Sequence, residues 1–300
     1  MPAAGKDISI EIMNATTSLV PRAVVGPLEK FALRLGLTKL PAHIPTLICS
    51  FFLFLFIHQV AAPLISPIVA SESWSKLRGR RGRNNWCIHI VSQVHVLVCV
   101  PLALRALYLP ALDKDRAFGW DDRVGTLTAF SLGYFLWDSL DAIVNFEDPG
   151  FVAHGVACSM IYLLAFNPFL AYYAARCLLW ETSTIFLNIH WFCDKTNNSG
   201  GILQLINGVF LLASFLGVRI IHGSWVSWNF WNTLRDVKDN VPLTFVLVYG
   251  VGNILLNGLN WIWFSKMVTA LQKRFKQPKA AAAVLSNGVP KKVDKIAKME

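Results

Sequence analysis

Seven apolar runs, each close to the length that crosses a bilayer, follow one another between Pro45 and Phe264. They are about Pro45 to Val69, Trp86 to Leu109, Val124 to Val144, Phe151 to Phe166, Phe169 to Phe192, Ile202 to Ile221 and Leu243 to Phe264. A helix needs about 20 apolar residues to cross ~30 Å of hydrocarbon, and a span in lipid must satisfy its backbone polar groups internally. With 54% hydrophobic and 15% charged residues, the 300-residue chain has more apolar surface than one soluble core can bury. The expected fold class is all-α: a polytopic transmembrane helical bundle of about seven spans.

The charge pattern divides the chain further. Lys and Arg number 28 against 18 Asp and Glu. Much of the excess lies between Lys76 and Arg83 and after Lys266, beside spans, where basic residues set topology and meet anionic lipid. That placement argues for the lipid bilayer and against nucleic acid as the partner. Seven spans put both basic segments in the cytosol if the N-terminus is lumenal and the C-terminus cytosolic. Residues 1–43 then form a lumenal segment, in which the Asn14-Ala15-Thr16 sequon would be open to glycosylation. Residues 44–77 hold the first span and its basic loop, residues 78–266 the main domain, and residues 267–300 a basic tail expected to be disordered and cytosolic. The six cysteines lack CxxC spacing and are read as free thiols, with no metal site.

Within the apolar runs stand groups that lipid cannot satisfy. Asp138, His154, Glu181, Asn188 and His190 are the main ones, and intramembrane ionisable residues usually face a bundle interior or a water-filled cavity. Counting at 1.5 Å per residue puts Asp138 about 9 Å from the end of its span and His154 at similar depth. Glu181, Thr184, Asn188 and Trp191 follow i, i+3, i+7, i+10 spacing and are expected to form one stripe. Asn207 joins from the next span, whereas Arg219 falls near its lumenal end. The expectation is one polar chamber in the cytosolic half of the bundle. In it His154 serves as nucleophile or base, Asp138 or Glu181 orients it, and Asn188, His190, Trp191, Thr184, Asn207 and Trp137 line a substrate site. Asn188 and Asn207 read more readily as interhelical glue, and His58, His89 and His95 more readily as interhelical hydrogen bonders than as catalysts. Trp225, Trp228 and Trp231 read as an interfacial belt.

An ordered series of residues carries a family likeness: Gly133-Tyr134 with Asp138, His154, Ala171-Tyr172, Glu181 with Ser183-Thr184, Asn188 with Trp191-Phe192, Ile206-Asn207-Gly208 and Val218-Arg219-Ile220. From about Arg78 to Lys266 the chain resembles the TLC (TRAM/LAG/CLN) domain family, and within it the TLC-domain-containing transmembrane proteins more than the ceramide synthases. The resemblance implies a six-helix core plus an N-terminal span, a lipid-accessible cavity, and residence in the endoplasmic reticulum membrane. It also implies a role in lipid metabolism or homeostasis. The family often has a His-His pair where this chain has His154-Gly155, and Thr182 or Thr184 stands where synthases carry a second acidic residue.

No cofactor follows from the residues; the resemblance introduces acyl-CoA as a candidate co-substrate. Three readings remain open: acyl transfer to a lipid through His154 from an acyl-CoA or phospholipid donor, non-enzymatic binding or sensing of a membrane lipid or fatty-acyl ligand, and proton or ion transport. An oligomer is compatible with all three.

Overall fold

The computed structural model describes residues 7–276. The part of the expected tail from residue 277 onward lies outside the described residues. Among those described, regular structure is entirely helical, and every one of the seven apolar runs is a helix.

Two short helices, α1 (Ile8–Leu19) and α2 (Arg22–Arg34), precede the first span. The longer helices are α3 (Pro41–Val69), α4 (Gly79–Ala106), α5 (Asp122–Val144), α6 (Pro149–Leu164), α7 (residues 171–195), α8 (Ile202–Asn240) and α9 (Leu243–Lys276). Four segments, Pro41–Val69, Gly79–Ala106, Ile202–Asn240 and Leu243–Gln272, are each long and apolar enough to cross a membrane, and the shorter α6 is also apolar. The chain is a polytopic helical membrane protein. Residues 262–276, the last turns of α9, belong to a separate unit.

Local chemistry fixes the helix starts. Asp7, Asp121 and Asp148 cap α1, α5 and α6 by accepting from the N–H of Ser9, Arg123 and Gly150. Each satisfies a donor that the helix itself cannot. Pro63 and Pro67 do not end the first span: the five residues Ile57–Ala61 form a π-helical turn just before Pro63, and helix continues to Val69. Such a turn relaxes the hydrogen-bond ladder that a proline interrupts.

Cross-helix contacts give the direction of each span. His43 meets Trp120 at the start of α5, and His58 meets Trp137 and Asp141 near its end, so α3 and α5 run parallel. Trp86 donates to Ser66 and His95 meets Phe54, so α4 runs back against α3. Ser139 pairs with Ser159 and Phe135 with Tyr162, which makes α6 antiparallel to α5. Asn197 donates to Glu72, so the loops 70–78, 145–148 and 196–201 share one end of the bundle. There Arg81 binds Glu147 at 2.6 Å, and this guanidinium holds the Glu147 carboxyl below the usual carboxylate range.

Close approach of α3 and α5 depends on Gly133. A Cβ there would lie 2.8 Å from the Phe51 backbone nitrogen and 2.6 Å from the Ser50 Cβ. Gly133→Ala is expected to destabilise the protein by about 1–3 kcal/mol, read as earlier thermal unfolding in detergent.

Two sequence expectations change. His95 was expected to hydrogen-bond between helices. Its ring instead stacks on Tyr134 at 3.8 Å, fully buried, and neither nitrogen has a hydrogen-bond partner among the described residues. Ring packing fills the space where a polar partner would have to stand. The sixth run is helical well beyond Ile221, because a second π-helical segment, Phe215–Ile221, joins it to His222–Val237. Trp225, Trp228 and Trp231 thus lie on a continuation of that helix, with much of each ring exposed. Residues 8–19 and 22–34, which lack a long apolar run, also form helices, and α1 is tied to the bundle by Thr16 with Thr46 and by Asp7 with Arg123. Asn14 is an exposed residue of α1.

Candidate functional site

Arg219 organises the most polar buried site. Its side chain is 6% exposed, and it extends from the π-helical segment of α8 into α7 and α9. Nε donates to Ser183 Oγ at 2.9 Å, Nη1 to Asn260 Oδ1 at 3.2 Å, and Nη2 to both Glu181 Oε1 at 3.2 Å and Thr184 Oγ1 at 3.0 Å. A buried charge is tolerated when it is paired and hydrogen-bonded, and four of the five guanidinium donors are so used. The fifth, on Nη1, has no protein acceptor among the described residues.

This corrects the placement of Arg219 near the lumenal end of its span. The span was taken to stop at Ile221; since the helix continues through the following residues, position 219 is interior. The π-helical turn shifts the side-chain phase and aims the guanidinium at α7. Glu181 lies in a one-turn 3-10 segment, Leu179–Glu181, that breaks α7. The expected stripe is shared between two neighbouring helices along its length: Glu181 and Thr184 meet Arg219 of α8, whereas Asn188 and Trp191 meet α4.

A cavity of about 60 Å³ adjoins the ion pair. His154, Cys158, Trp180, Glu181 and Arg219 line it together with apolar side chains such as Phe230. At roughly 15 Å³ per water-sized group it has room for about four, enough for a short stretch of chain. Cys158, one turn on from His154 in α6, places its sulfur 3.8 Å from Nε2. Trp180 Nε1 is buried without a hydrogen-bond partner among the described residues, and its edge of the indole packs against Gly223.

Asp138 reaches the neighbourhood from α5. Its Oδ2 is 3.2 Å from where a Cβ on Gly155 would stand, and Ser139 Oγ and Cα are 2.7 and 3.1 Å from the same point. Position 155 therefore admits only glycine without movement of α5 or α6. The missing second histidine is explained by helix packing.

The remaining expected lining residues belong elsewhere. Asn188 joins α7 to α4: it pairs with His89 Nδ1 at 2.9 Å and donates to Ser92 and Gln93. Trp191 stacks on His89 at 4.1 Å, and Asn207 donates to the Phe186 carbonyl. His190 lies against Gly208 of α8, and Trp137 packs edge-on to His58. The single chamber is thus several polar groups, of which His154, Glu181, Thr184 and Arg219 are gathered around one cavity or its ion pair.

Residues 85–269 match the TLC domain, most of the helical bundle just described. The chain belongs to the TLC-domain family. An uncharacterized TLC domain-containing protein of Schizosaccharomyces pombe is 34% identical over 276 residues, covering 89% of this chain and 93% of that one. Topoisomerase I damage affected protein 4 of Saccharomyces cerevisiae is 28% identical over 272 residues, covering 88% and 97%. TLC domain-containing protein 4-B of Danio rerio is 26% identical over 229 residues, covering 72% and 85%. In this TLC-domain chain, α1, α2 and the first span precede the matched region.

Proposed function

We propose that this TLC-domain protein handles membrane lipid, holding part of a lipid acyl chain in the cavity between His154 and Arg219. The observation that carries the reading is a mostly apolar cavity, enclosed by membrane-spanning helices, with a buried ion pair and an imidazole in its wall. Aliphatic carbon suits the apolar lining, while an ester or amide carbonyl could accept from the fifth Arg219 donor. The setting we propose is the endoplasmic reticulum membrane and lipid homeostasis, with the Arg78–Arg83 end cytosolic and the N-terminus lumenal. A reporter fused ahead of α1 is expected to be lumenal and Asn14 glycosidase-sensitive; a cytosolic reporter would reverse the orientation.

A second reading, acyl transfer, is favoured by one specific arrangement: His154 and the Arg219 guanidinium line the same cavity. The imidazole would attack the acyl carbonyl carbon of a thioester or ester donor, and the guanidinium would stabilise the oxyanion. The donor's thiolate or alkoxide would leave, and the lipid acceptor would then take the acyl group from the imidazole. Purified protein incubated with radiolabelled palmitoyl-CoA tests it. A covalent adduct present in wild type and absent in His154→Ala is the expected result under transfer. No adduct and no turnover, with lipid still retained, leaves binding alone.

A further inference from the structure

A second, larger cavity lies at the end of the bundle that carries the basic loop. Its volume is about 660 Å³, and it is walled by the π-helical segment of α3, the first turns of α4 and the last turns of α5. We propose that it binds the phosphate of an anionic phospholipid headgroup, separately from the acyl cavity around His154.

Its inner wall is a continuous polar chain. Gln59 Nε2 is 3.0 Å from His58 Nδ1, His58 Nε2 is 3.0 Å from Asn84 Oδ1, and the Asn84 amide donates to both oxygens of Asp141 at 3.3 Å. Asn145 donates to Asp141 Oδ1 at 2.8 Å. His58 and Asp141 are 5% and 8% exposed. Such a network, fully interconnected, holds the cavity wall rigid, and its amides hydrogen-bond the Asp141 carboxylate.

The outer wall is basic. Arg80 and Arg83 line the cavity, both exposed. Arg80 makes no ion pair among the described residues, and Arg83 meets only the Trp74 ring, at 5.7 Å. Arg81 differs: it does not line the cavity and is taken by Glu147. Two uncommitted guanidinium groups against one amide-bound carboxylate leave a net positive site, and the first turn of α4 adds unpaired backbone N–H groups. The third wall is apolar. Leu140 and Val144, which line the cavity, are 47% and 61% exposed on the bilayer-facing surface of α5. A phosphate with acyl chains attached meets both surfaces; free phosphate meets only the arginines.

The test uses full-length protein in neutral detergent and measures binding of dioctanoyl phosphatidic acid, dioctanoylglycerol, coenzyme A and inorganic phosphate. Phosphatidic acid is expected to bind at least about tenfold more tightly than each of the other three. Arg80→Gln/Arg83→Gln is expected to weaken it about tenfold or more, while Lys76→Gln/Arg78→Gln, which removes equal charge from the same loop outside the cavity, changes it less than about twofold. Binding of phosphatidic acid by His154→Ala is expected to equal wild type, which keeps this result distinct from the acyl cavity. Equal binding of dioctanoylglycerol, inorganic phosphate or coenzyme A would overturn the proposal. So would equal losses in the two double variants.

Discussion

Arg219→Leu is expected to destabilise the protein by about 3–5 kcal/mol, the largest effect of any single polar substitution in the bundle. The change deletes four hydrogen bonds and leaves Glu181, 8% exposed, as a buried carboxylate without its cation. The pair itself need not be strongly stabilising, because desolvation offsets much of its attraction; the cost comes from stranding one member. Adding Glu181→Gln to Arg219→Leu should therefore recover a substantial part of the loss, since a neutral amide is cheaper to bury than a carboxylate. Unfolding of the detergent-solubilised protein, followed by tryptophan fluorescence, measures both. A loss under about 1 kcal/mol in the single variant, or no recovery in the double, would show that Arg219 is not held as described.

The second large effect is expected at the α5–α6 crossing. Gly155→His, which restores the His-His pair frequent in the family, should destabilise by more than about 3 kcal/mol, and Gly155→Ala by about 1–3 kcal/mol. The obstruction is partly backbone: Ser139 Cα would be 3.1 Å from the new Cβ, and a Cα cannot rotate away as a side chain can. Ser139→Ala should relieve only the 2.7 Å hydroxyl contact, giving partial rescue. Wild-type stability in Gly155→His would mean that the helices separate readily there, and that steric packing does not account for the single histidine.

The seven helical runs were legible because span length and apolar continuity act locally along the chain. Counting residues at a fixed rise also brings Asp138 to the depth of the His154–Gly155 turn, where its Oδ2 lies 3.2 Å from a Cβ position on Gly155. Arg219 was not legible by that arithmetic. Its depth depends on a helix that continues into WVSWNFWNTLRDV, a stretch rich enough in polar groups to look like a loop flanking a span, and on a π-helical turn with no clear sequence signature. Glu181 and Asn188 parted because a constant 100° per residue makes them one stripe but does not say which helix covers each part of it: α8 meets Glu181 and Thr184, and α4 meets Asn188. The role of His58 was hidden differently: Asn84, Asp141 and Asn145 come from helices distant in sequence, and only tertiary packing brings them into one network.

The account centres on an acyl chain held between His154 and Arg219. Mass spectrometry of lipid retained by the purified full-length protein tests that claim most directly, with wild type compared to Ala174→Leu. Ala174 is a buried cavity-lining residue, and the added methyl groups would occupy much of the ~60 Å³ space. The Arg80→Gln/Arg83→Gln variant serves as reference, since it leaves this cavity intact. Near-stoichiometric lipid in wild type and in the arginine variant, with a severalfold loss in folded Ala174→Leu, is the predicted result. The same lipid content in folded Ala174→Leu as in wild type, or none in wild type, would contradict it.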